Sequence, residues 1–319
     1  MSQLIMMDLI MLKQQKNCLK TDYHNPVMLS ECIEGLNINP KGHYIDVTFG
    51  GGGHSRAILD CLDEDGRLYA FDQDKDSQRN IIEDKRFIFI DDNFGNLKDD
   101  LRLYREFKID GILADLGISS YQIDTPERGF STRYDADLDL RMNPSQAISA
   151  KEIISQYEER DLRRVFKDYG ELTNAFQISK KIVNSRSSSP INTTFELKDL
   201  LASLAIKGQE NKFYAMVFQA LRIEVNNELE NLKKMLEQSC DILSAGGRLV
   251  VMSYHSLEDR LVKNFMKCGN FEAKQEKDFY GNVLSPMEMI TRKPILANDE
   301  EQISNPRSRS AKLRIAKKK

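Results

Sequence analysis

The chain has 319 residues, of which 40% are hydrophobic and 30% are charged, and its formal net charge is −3. This composition indicates a soluble globular protein and excludes a fibrous or disordered chain. No apolar run approaches the roughly 20 residues that cross a bilayer, so we expect no membrane-spanning segment. The length allows one large α/β domain with an insertion, or two domains.

Residues 1–22 differ from the rest of the chain. They begin with a methionine-rich stretch that carries Asp8 and lacks a basic n-region and a small-residue cleavage site. A signal peptide is therefore not indicated, and we predict a disordered extension, with a start placed too early as the alternative.

Five cysteines are scattered through the chain without a CxxC pair, and four histidines show no ligand spacing. This pattern predicts reduced thiols in a cytoplasmic protein and no metal site.

Five short segments are predicted as β-strands, most of them apolar and followed by a helical segment. The strands are 44–50, 67–74, 87–90, 110–117 and 247–254, and the clearest helices are 55–62, 97–107 and 256–267. Strands that alternate with crossover helices predict an α/β fold with a mostly parallel, doubly wound, Rossmann-like sheet. Ligands of such sheets bind at the carboxyl ends of the strands.

The alternation stops between about residues 122 and 212, where the chain is charged and rich in helix formers. We predict three helices, at 150–169, 175–187 and 195–205, and a loop at 185–194. The stretch 123–212 is thus a helical insertion domain between the parts 23–122 and 213–319. Its basic residues either hold phosphates or form a solvated face: Arg163, Arg164, Lys167, Lys180, Lys181 and Arg186.

A glycine loop gives the strongest local signal. Asp46 lies inside the first strand, Gly50, Gly52 and Gly53 follow, and a helix begins at once. Glycines let the backbone approach a ligand closely, and the helix N-terminal amides face that ligand. An NAD-binding loop would have a third glycine where Ser55 stands. The Asp46 carboxylate suits the amino group of a methionine moiety better than a pyrophosphate, which it would repel.

Two residues at later strand ends complete an adenosine site. Asp72 ends the second strand, where doubly wound folds place an acid that accepts hydrogen bonds from ribose hydroxyls. The alternative is a turn residue at a strand end. Phe94 follows the third strand, where its ring either packs on adenine or belongs to the core.

The fourth strand ends in a polar cluster of Asp115, Ser119, Ser120 and Gln122. In a doubly wound sheet this end lies beside the glycine loop, where the reacting group of a cofactor would sit. The alternative is that the aspartate and serine cap the next helix.

With these residues assembled, the chain resembles the family of ribosomal RNA small-subunit methyltransferase H, also called MraW, from about residue 23 to 316. The resemblance rests on blocks in matching order: 24–29, 46–55, 115–122, 127–131, 138–142, 218–226, 253–260 and 305–310. It implies a class I methyltransferase that uses S-adenosylmethionine to methylate the exocyclic N4 of a decoding-centre cytidine in 16S rRNA of the small ribosomal subunit. It also implies cofactor contacts by Gly52, Gly53, His54, Asp72, Phe94, Asp115 and Gln122, of which His54 and the role of Gln122 come from the resemblance alone.

For the reaction, an acceptor aimed at the amine N–H favours attack on the methyl group as positive charge develops on nitrogen. Asp115 is the first candidate for this catalytic acceptor, with Ser119 or Ser120 second, and Asp115 alternatively binds only the cofactor. His255 is expected to fix the pocket wall or to meet RNA. The residue that stacks on the target base is open among Tyr121, Phe130, Tyr134 and Tyr254.

The last segment, from Arg307 to Lys319, has seven basic and no acidic residues. We expect a terminal tail that binds RNA, with a solvated tail as the alternative. Two other functions stay open, an NAD-dependent oxidoreductase and a non-catalytic RNA-binding factor. The oligomeric state is also open, with a homodimer as one alternative.

Overall fold

The computed structural model describes residues 26–106, 108–281 and 284–319. The predicted extension at 1–22 and the start of the first family block lie outside the described residues. The helices, in chain order, are α1 (Leu29–Leu36), α2 (Gly53–Cys61), α3 (Leu97–Leu103), α4 (Ser120–Asp124), α5 (Ala150–Gln156), α6 (Glu159–Asp168), α7 (Ala175–Arg186), α8 (Thr194–Leu201), α9 (Glu210–Asn226), α10 (Glu228–Ile242), α11 (Ser256–Cys268) and α12 (Asp299–Ser304). None of the helices in these ranges is long and apolar enough to cross a membrane.

The chain forms two compact units. The first contains the described residues through Asp72 together with Ser77–Leu116 and Met235–Lys319, and the second contains Gln73–Asp76 and Gly117–Lys234. The second unit is thus longer at both ends than the insertion expected at 123–212.

The first unit is built on a seven-stranded sheet. Its strands are β1 (His43–Asp46), β2 (Arg67–Phe71), β3 (Phe87–Ile90), β4 (Ile109–Asp115), β5 (Leu243–Ser253), β6 (Met287–Met289) and β7 (Lys312–Lys318). Their order is β3-β2-β1-β4-β5-β7-β6. The first five are mutually parallel, and β7 runs antiparallel to both β5 and β6. The predicted mostly parallel, doubly wound sheet is therefore confirmed.

The register of the parallel strands sets where their carboxyl ends fall. Asp46 lies opposite Ala70 of β2 and Leu113 of β4, and Asp115 lies opposite Met252 of β5. The residues that follow these strands therefore meet at one edge of the sheet. Buried apolar side chains of the strands and of α1 and α2 hold this arrangement, among them Leu36, Tyr44, Ile58, Leu113 and Val250.

The C-terminal segment is folded, with a 3₁₀ helix at Pro306–Ser310 followed by β7, so the expectation of a free basic tail is wrong, while its binding to RNA stays a prediction. Leu313, Ile315 and Ala316 are buried in β7. Arg314 is only 4% exposed, and its guanidinium donates to both carboxylate oxygens of Asp259 on α11, at 2.6 and 3.2 Å. Lys317 pairs with Glu288 of β6 at 2.9 Å. Charge density alone indicates a basic tail, but the apolar residues among the basic ones place Lys312–Lys318 inside the sheet.

The second unit has its own helical core. Its buried side chains come from α5 to α9 and from the segment before α5, and include Leu138, Ile154, Phe166, Ile182 and Leu221. The helix expected at 150–169 is two helices, because Tyr157 and Glu158 adopt extended backbone between α5 and α6.

Helix α9 explains why this unit continues past residue 212. It contributes Val217, Phe218 and Leu221 to the helical core. At its end, Asn226 Nδ2 donates to Leu140 O at 2.8 Å, and its Oδ1 accepts from Met142 N at 2.7 Å. The block 138–142 is thereby fixed to α9.

Candidate functional site

The glycine loop lies between β1 and α2 in the first unit. Gly50 and Gly52 have φ of +49° and +74°, a left-handed backbone that favours glycine. A Cβ on Gly53 would come within 2.3 Å of Pro26 Cγ, whereas a Cβ on Gly51 would meet nothing within 4 Å. The loop is therefore packed against the protein at Gly53 and open at Gly51.

Asp46, the last residue of β1, is hydrogen-bonded to residues on both sides of this loop. Its carboxylate is 1% exposed and accepts from Ser55 Oγ at 2.7 Å and from Thr48 N at 3.1 Å. Burial raises the pKa of Asp46, while nearby His54 and the donors from Ser55 and Thr48 oppose that rise. This contact explains why a serine stands in place of a third glycine, because the Ser55 hydroxyl donates a hydrogen bond to a buried carboxylate.

Asp72 follows β2, beside the glycine loop. Its Oδ2 accepts a hydrogen bond from Gly50 N at 2.7 Å. Phe94 follows β3 and begins a 3₁₀ turn, Phe94–Asn96, which Asn93 caps by accepting from Gly95 N at 2.8 Å. The ring of Phe94 is half-buried at the carboxyl end of its strand. The strand-end positions expected for Asp72 and Phe94 are as predicted, and their contacts with a cofactor stay predictions.

Asp115, the last residue of β4, lies among several polar groups of the first unit. Its backbone N–H donates to Thr48 Oγ1 at 2.7 Å, and its Oδ1 accepts from the Tyr254 hydroxyl at 2.8 Å. Its Oδ2 lies 3.8 Å from His54 Nδ1. The other ring nitrogen of His54 lies 3.2 Å from Val27 O.

The environment of Asp115 disfavours its charged form. Burial raises the pKa of Asp115 to about 6, and the charges of Asp46 and Glu258 add to the rise. His54 and the hydrogen bond from Tyr254 act in the opposite direction. A carboxyl group with a pKa so close to neutrality is typical of functional sites.

Tyr254 is the residue whose contact the sequence did not indicate. It was one of four candidates for stacking on a base, yet its hydroxyl is bound to Asp115. Burial, followed by the charge of Asp115, raises the pKa of Tyr254 and keeps the phenol protonated. Only the order of the strands could have indicated this contact, because Tyr254 directly follows β5, the parallel neighbour of β4. Among the other candidates, Phe130 is 7% exposed, and Tyr121 and Tyr134 are 44% and 51% exposed.

Ser119, Ser120 and Gln122 belong to the second unit. Ser119 caps α4 through a capping box, in which its Oγ accepts from Gln122 N at 3.2 Å and Gln122 Oε1 accepts from Ser119 N at 3.0 Å. The amide of Gln122 also donates to Asp74 Oδ2 at 2.7 Å. The capping alternative is therefore confirmed for Ser119, and the catalytic and cofactor roles of these residues stay predictions.

His255 caps α11. Its Nδ1 accepts from Glu258 N at 3.4 Å, and Glu258 Oε2 in turn accepts from Tyr254 N at 3.0 Å. The side chain of Glu258 is 4% exposed. His255 therefore stabilises the turn that carries Tyr254, which agrees with a role in the wall of the site.

The six basic residues of the insertion have different surroundings. Arg164 pairs with Glu224 at 2.7 Å, Arg186 donates to Ile154 O at 2.7 Å, and Lys181 donates to Ser203 Oγ at 2.5 Å. Arg163 and Lys180 instead flank the ring of Phe176, at 5.5 and 5.8 Å from its centroid. Phe176 is 43% exposed, so these two cations border a surface ring.

Comparison with known proteins identifies the family. The model of the MraW methylase family matches residues 21–319. The chain belongs to the MraW methylase family. It is 54% identical over 297 residues to the ribosomal RNA small subunit methyltransferase H of Flavobacterium johnsoniae, covering 93% of this chain and 98% of the relative. The proteins of the same name from Christiangramia forsetii and Bacteroides thetaiotaomicron are 52% and 51% identical, with the same coverage.

Family membership confirms the predicted family and the predicted cofactor, S-adenosylmethionine. It excludes the oxidoreductase alternative. Among solved structures, an S-adenosylmethionine-dependent O-methyltransferase from Thermotoga maritima aligns over 95% of this chain and 69% of its own, at a TM-score of 0.40 and 9% identity.

Proposed function

We propose that this chain transfers the methyl group of S-adenosylmethionine to the exocyclic N4 of a decoding-centre cytidine in 16S rRNA of the small ribosomal subunit. The relatives named ribosomal RNA small subunit methyltransferase H support ribosomal RNA as the substrate and the small subunit as the particle that contains it. The observation that carries the chemistry is the position of Asp115 at the carboxyl end of β4, beside the glycine loop, with one oxygen bound by Tyr254.

The residues of the first unit fit this cofactor. The open side of Gly51 leaves room for a ligand against the loop backbone. We assign the ribose hydroxyls to Asp72, whose carboxylate already lies at Gly50 N. Asp46 is buried and its two oxygens accept from Thr48 and Ser55, so we propose that its charge acts on the methionine amino group from beneath the glycine loop. The half-buried ring of Phe94 suits adenine. The proposed set is Asp46, Gly50, Gly52, Gly53, His54, Asp72, Phe94 and Asp115, with Gln122 from the second unit.

Bound S-adenosylmethionine supplies an electrophilic methyl group on a sulfonium. Asp115, as the catalytic acceptor, takes a hydrogen bond from the N–H of the cytosine amine as positive charge develops on that nitrogen. The bond from the methyl group to sulfur would break as the bond to nitrogen forms, leaving S-adenosylhomocysteine, and the proton that the methylated nitrogen loses would pass to the Asp115 carboxylate. This role requires the carboxylate form, so activity should fall as the pH drops through about 6, the pKa of Asp115. Ser119 or Ser120 is the second candidate for the acceptor.

The lone pair of the cytosine amine is delocalised into the ring, which makes this nitrogen a weak nucleophile. The base is also stacked in its RNA, so it must leave its stack before it reacts. Holding the amine close to the methyl group and in line with it supplies much of the rate acceleration. We also propose that the protein acts in the cytoplasm, and a homodimer is one alternative for its oligomeric state.

The decisive experiment supplies small subunits that lack the modification to the purified protein with isotopically labelled cofactor, and maps the methylated nucleotide by mass spectrometry. We expect label on the N4 of one decoding-centre cytidine. Label at another position overturns the proposed target, and no transfer at all favours the non-catalytic RNA-binding alternative.

A second experiment concerns Asp115, which alternatively binds only the cofactor. The variant Asp115→Asn is assayed for cofactor affinity and for turnover at saturating cofactor, separately. The proposal expects turnover to fall by about 100-fold or more, the range found when an electrostatic contact to the transition state is removed. Unchanged turnover with weakened affinity contradicts the catalytic role.

A further inference from the structure

We propose that Tyr254 is a positioning residue, whose hydroxyl holds the Asp115 carboxylate in one orientation so that Oδ2 serves as the acceptor for the substrate amine. This inference rests on the proposed function, because it assigns Asp115 to the substrate. The contact joins residues 139 positions apart in the chain, at a distance of 2.8 Å. A hydrogen bond to an ionised carboxylate is roughly twice as strong as one between neutral groups.

The two oxygens of Asp115 are in different situations. Oδ1 accepts from the Tyr254 hydroxyl. Oδ2 lies 3.8 Å from His54 Nδ1, beyond hydrogen-bond distance, and no other described residue donates to it. The side chain of Asp115 is 24% exposed. A carboxylate held by one oxygen and open at the other is suited to accept an N–H from a ligand.

Tyr254 is itself firmly held. Its backbone N–H donates to Glu258 Oε2 at 3.0 Å, and Glu258 is nearly fully buried in the capping box that begins α11. Since β5 and β4 are paired in parallel up to Asp115 and Met252, the position of the phenol relative to Asp115 is set by the sheet. The phenol that contacts the carboxylate is therefore carried by an anchored backbone position directly after a neighbouring strand.

The other ionisable groups around Asp115 do not replace this contact. Asp46 and Glu258 are acids whose charges disfavour the carboxylate. The thiol of Cys32 on α1 is buried, and burial together with the charge of Asp115 raises the pKa of Cys32, so it stays neutral. His54 favours the carboxylate, but Nδ1 does not reach hydrogen-bond distance. Tyr254 is thus the side-chain hydrogen-bond donor that stabilises the charged form.

The test uses Tyr254→Phe, which keeps the ring and removes the hydroxyl. The matched control is Tyr69→Phe in β2, where the hydroxyl donates to Glu106 Oε2 at 3.1 Å, a phenol–carboxylate contact in the same unit. Both variants and the wild type are assayed for kcat and KM on unmodified small subunits from pH 5.5 to 8.5, with thermal unfolding as the check on folding.

The expected sign follows from the hydrogen bond. Tyr254 lowers the pKa of Asp115 from what burial alone would produce. Its loss should therefore move the acidic limb of the kcat profile to higher pH, by about one unit for one charge-assisted hydrogen bond. Activity at pH 6 should fall about fivefold more than activity at pH 8.5, with KM little changed. Tyr69→Phe should leave the limb in place.

A uniform loss at all pH values with an unmoved limb would mean a structural role only. A profile that superimposes on that of the wild type would mean that only the ring matters, as for base stacking. Either result overturns the proposal. An independent readout is the titration of the Asp115 carboxyl carbon by NMR in the ligand-free protein, which should shift upward in Tyr254→Phe. If the wild type itself transfers no methyl group, the proposed function fails, and the NMR titration still decides whether Tyr254 controls Asp115.

Discussion

The carboxylate of Asp72 accepts a hydrogen bond from the backbone N–H of Gly50 at 2.7 Å, which links the end of β2 to the glycine loop after β1. The acid proposed to bind the ribose thus also helps to fix the loop that faces the same ligand. Because the two functions depend differently on charge, they can be separated by substitution.

Asp72→Asn should weaken binding of S-adenosylhomocysteine by at least about tenfold, since hydrogen bonds to a charged acceptor are worth about 1.5–3 kcal/mol. The amide oxygen can still accept from Gly50 N, so the thermal midpoint should change little. Isothermal titration calorimetry measures the affinity. The control is Asp65→Asn, a surface acid whose side chain is 70% exposed and pairs with Lys41. Equal affinities for wild type and Asp72→Asn would contradict the ribose role.

The glycine loop offers a matched pair of substitutions. In Gly53→Ala the new methyl group would lie 2.3 Å from Pro26 Cγ, and such overpacking typically destabilises by about 1–3 kcal/mol. In Gly51→Ala the methyl group meets no protein atom within 4 Å. We therefore expect Gly51→Ala to unfold in urea like the wild type but to bind S-adenosylhomocysteine more weakly. Unimpaired binding by a stable Gly51→Ala would place the cofactor away from this face of the loop.

The C-terminal strand should be essential for stability. Arg314 is buried in β7 and makes two hydrogen bonds to Asp259. Removing one partner of a buried ion pair typically costs about 3–5 kcal/mol. The lower end, about 3 kcal/mol, is expected here because Lys312 Nζ lies 3.6 Å from Asp259 Oδ2 and keeps part of its charge compensated. Arg314→Ala should therefore lower the free energy of unfolding by about this amount in urea titrations. The comparison is Arg102→Ala, whose partner Asp99 is 80% exposed and which should change stability little.

The same strand shows what the sequence could and could not predict. Strands β1 to β4 were predictable because each is a short run of mostly apolar residues that a helical segment follows. The apolar residues of β7 are interleaved with basic ones, and the partners of those basic residues are distant in the chain. Arg314 and Asp259 are 55 positions apart, so no local pattern indicated that the charges are paired inside the fold.

In the candidate site, too, the positions of some residues could be predicted from the sequence, whereas their contacts could not. Asp46, Asp72 and Asp115 each stand at the end of a predicted strand, so parallel pairing alone placed them at one edge. The contact of Tyr254 with Asp115 required knowing that β4 and β5 are neighbours. The two hydrogen bonds of the buried Asp46 carboxylate, from Ser55 and Thr48, likewise depend on the folded shape of the loop.

The cations that flank Phe176 yield a prediction about RNA. Arg163 and Lys180 lie 5.5 and 5.8 Å from the centroid of this partly exposed ring, whereas Arg164 is paired with Glu224. If the two cations contact phosphates, the double variant Arg163→Ala/Lys180→Ala should bind small-subunit RNA more weakly. The slope of log K against log salt should also flatten, by about 0.7–0.9 for each lost phosphate contact.

The control is Lys85→Ala/Arg102→Ala, which removes the same charge from cations that pair with Glu64 and Asp99. An equal change of slope in both double variants would mean that only net charge matters, and no change in the first would assign Arg163 and Lys180 to a solvated face.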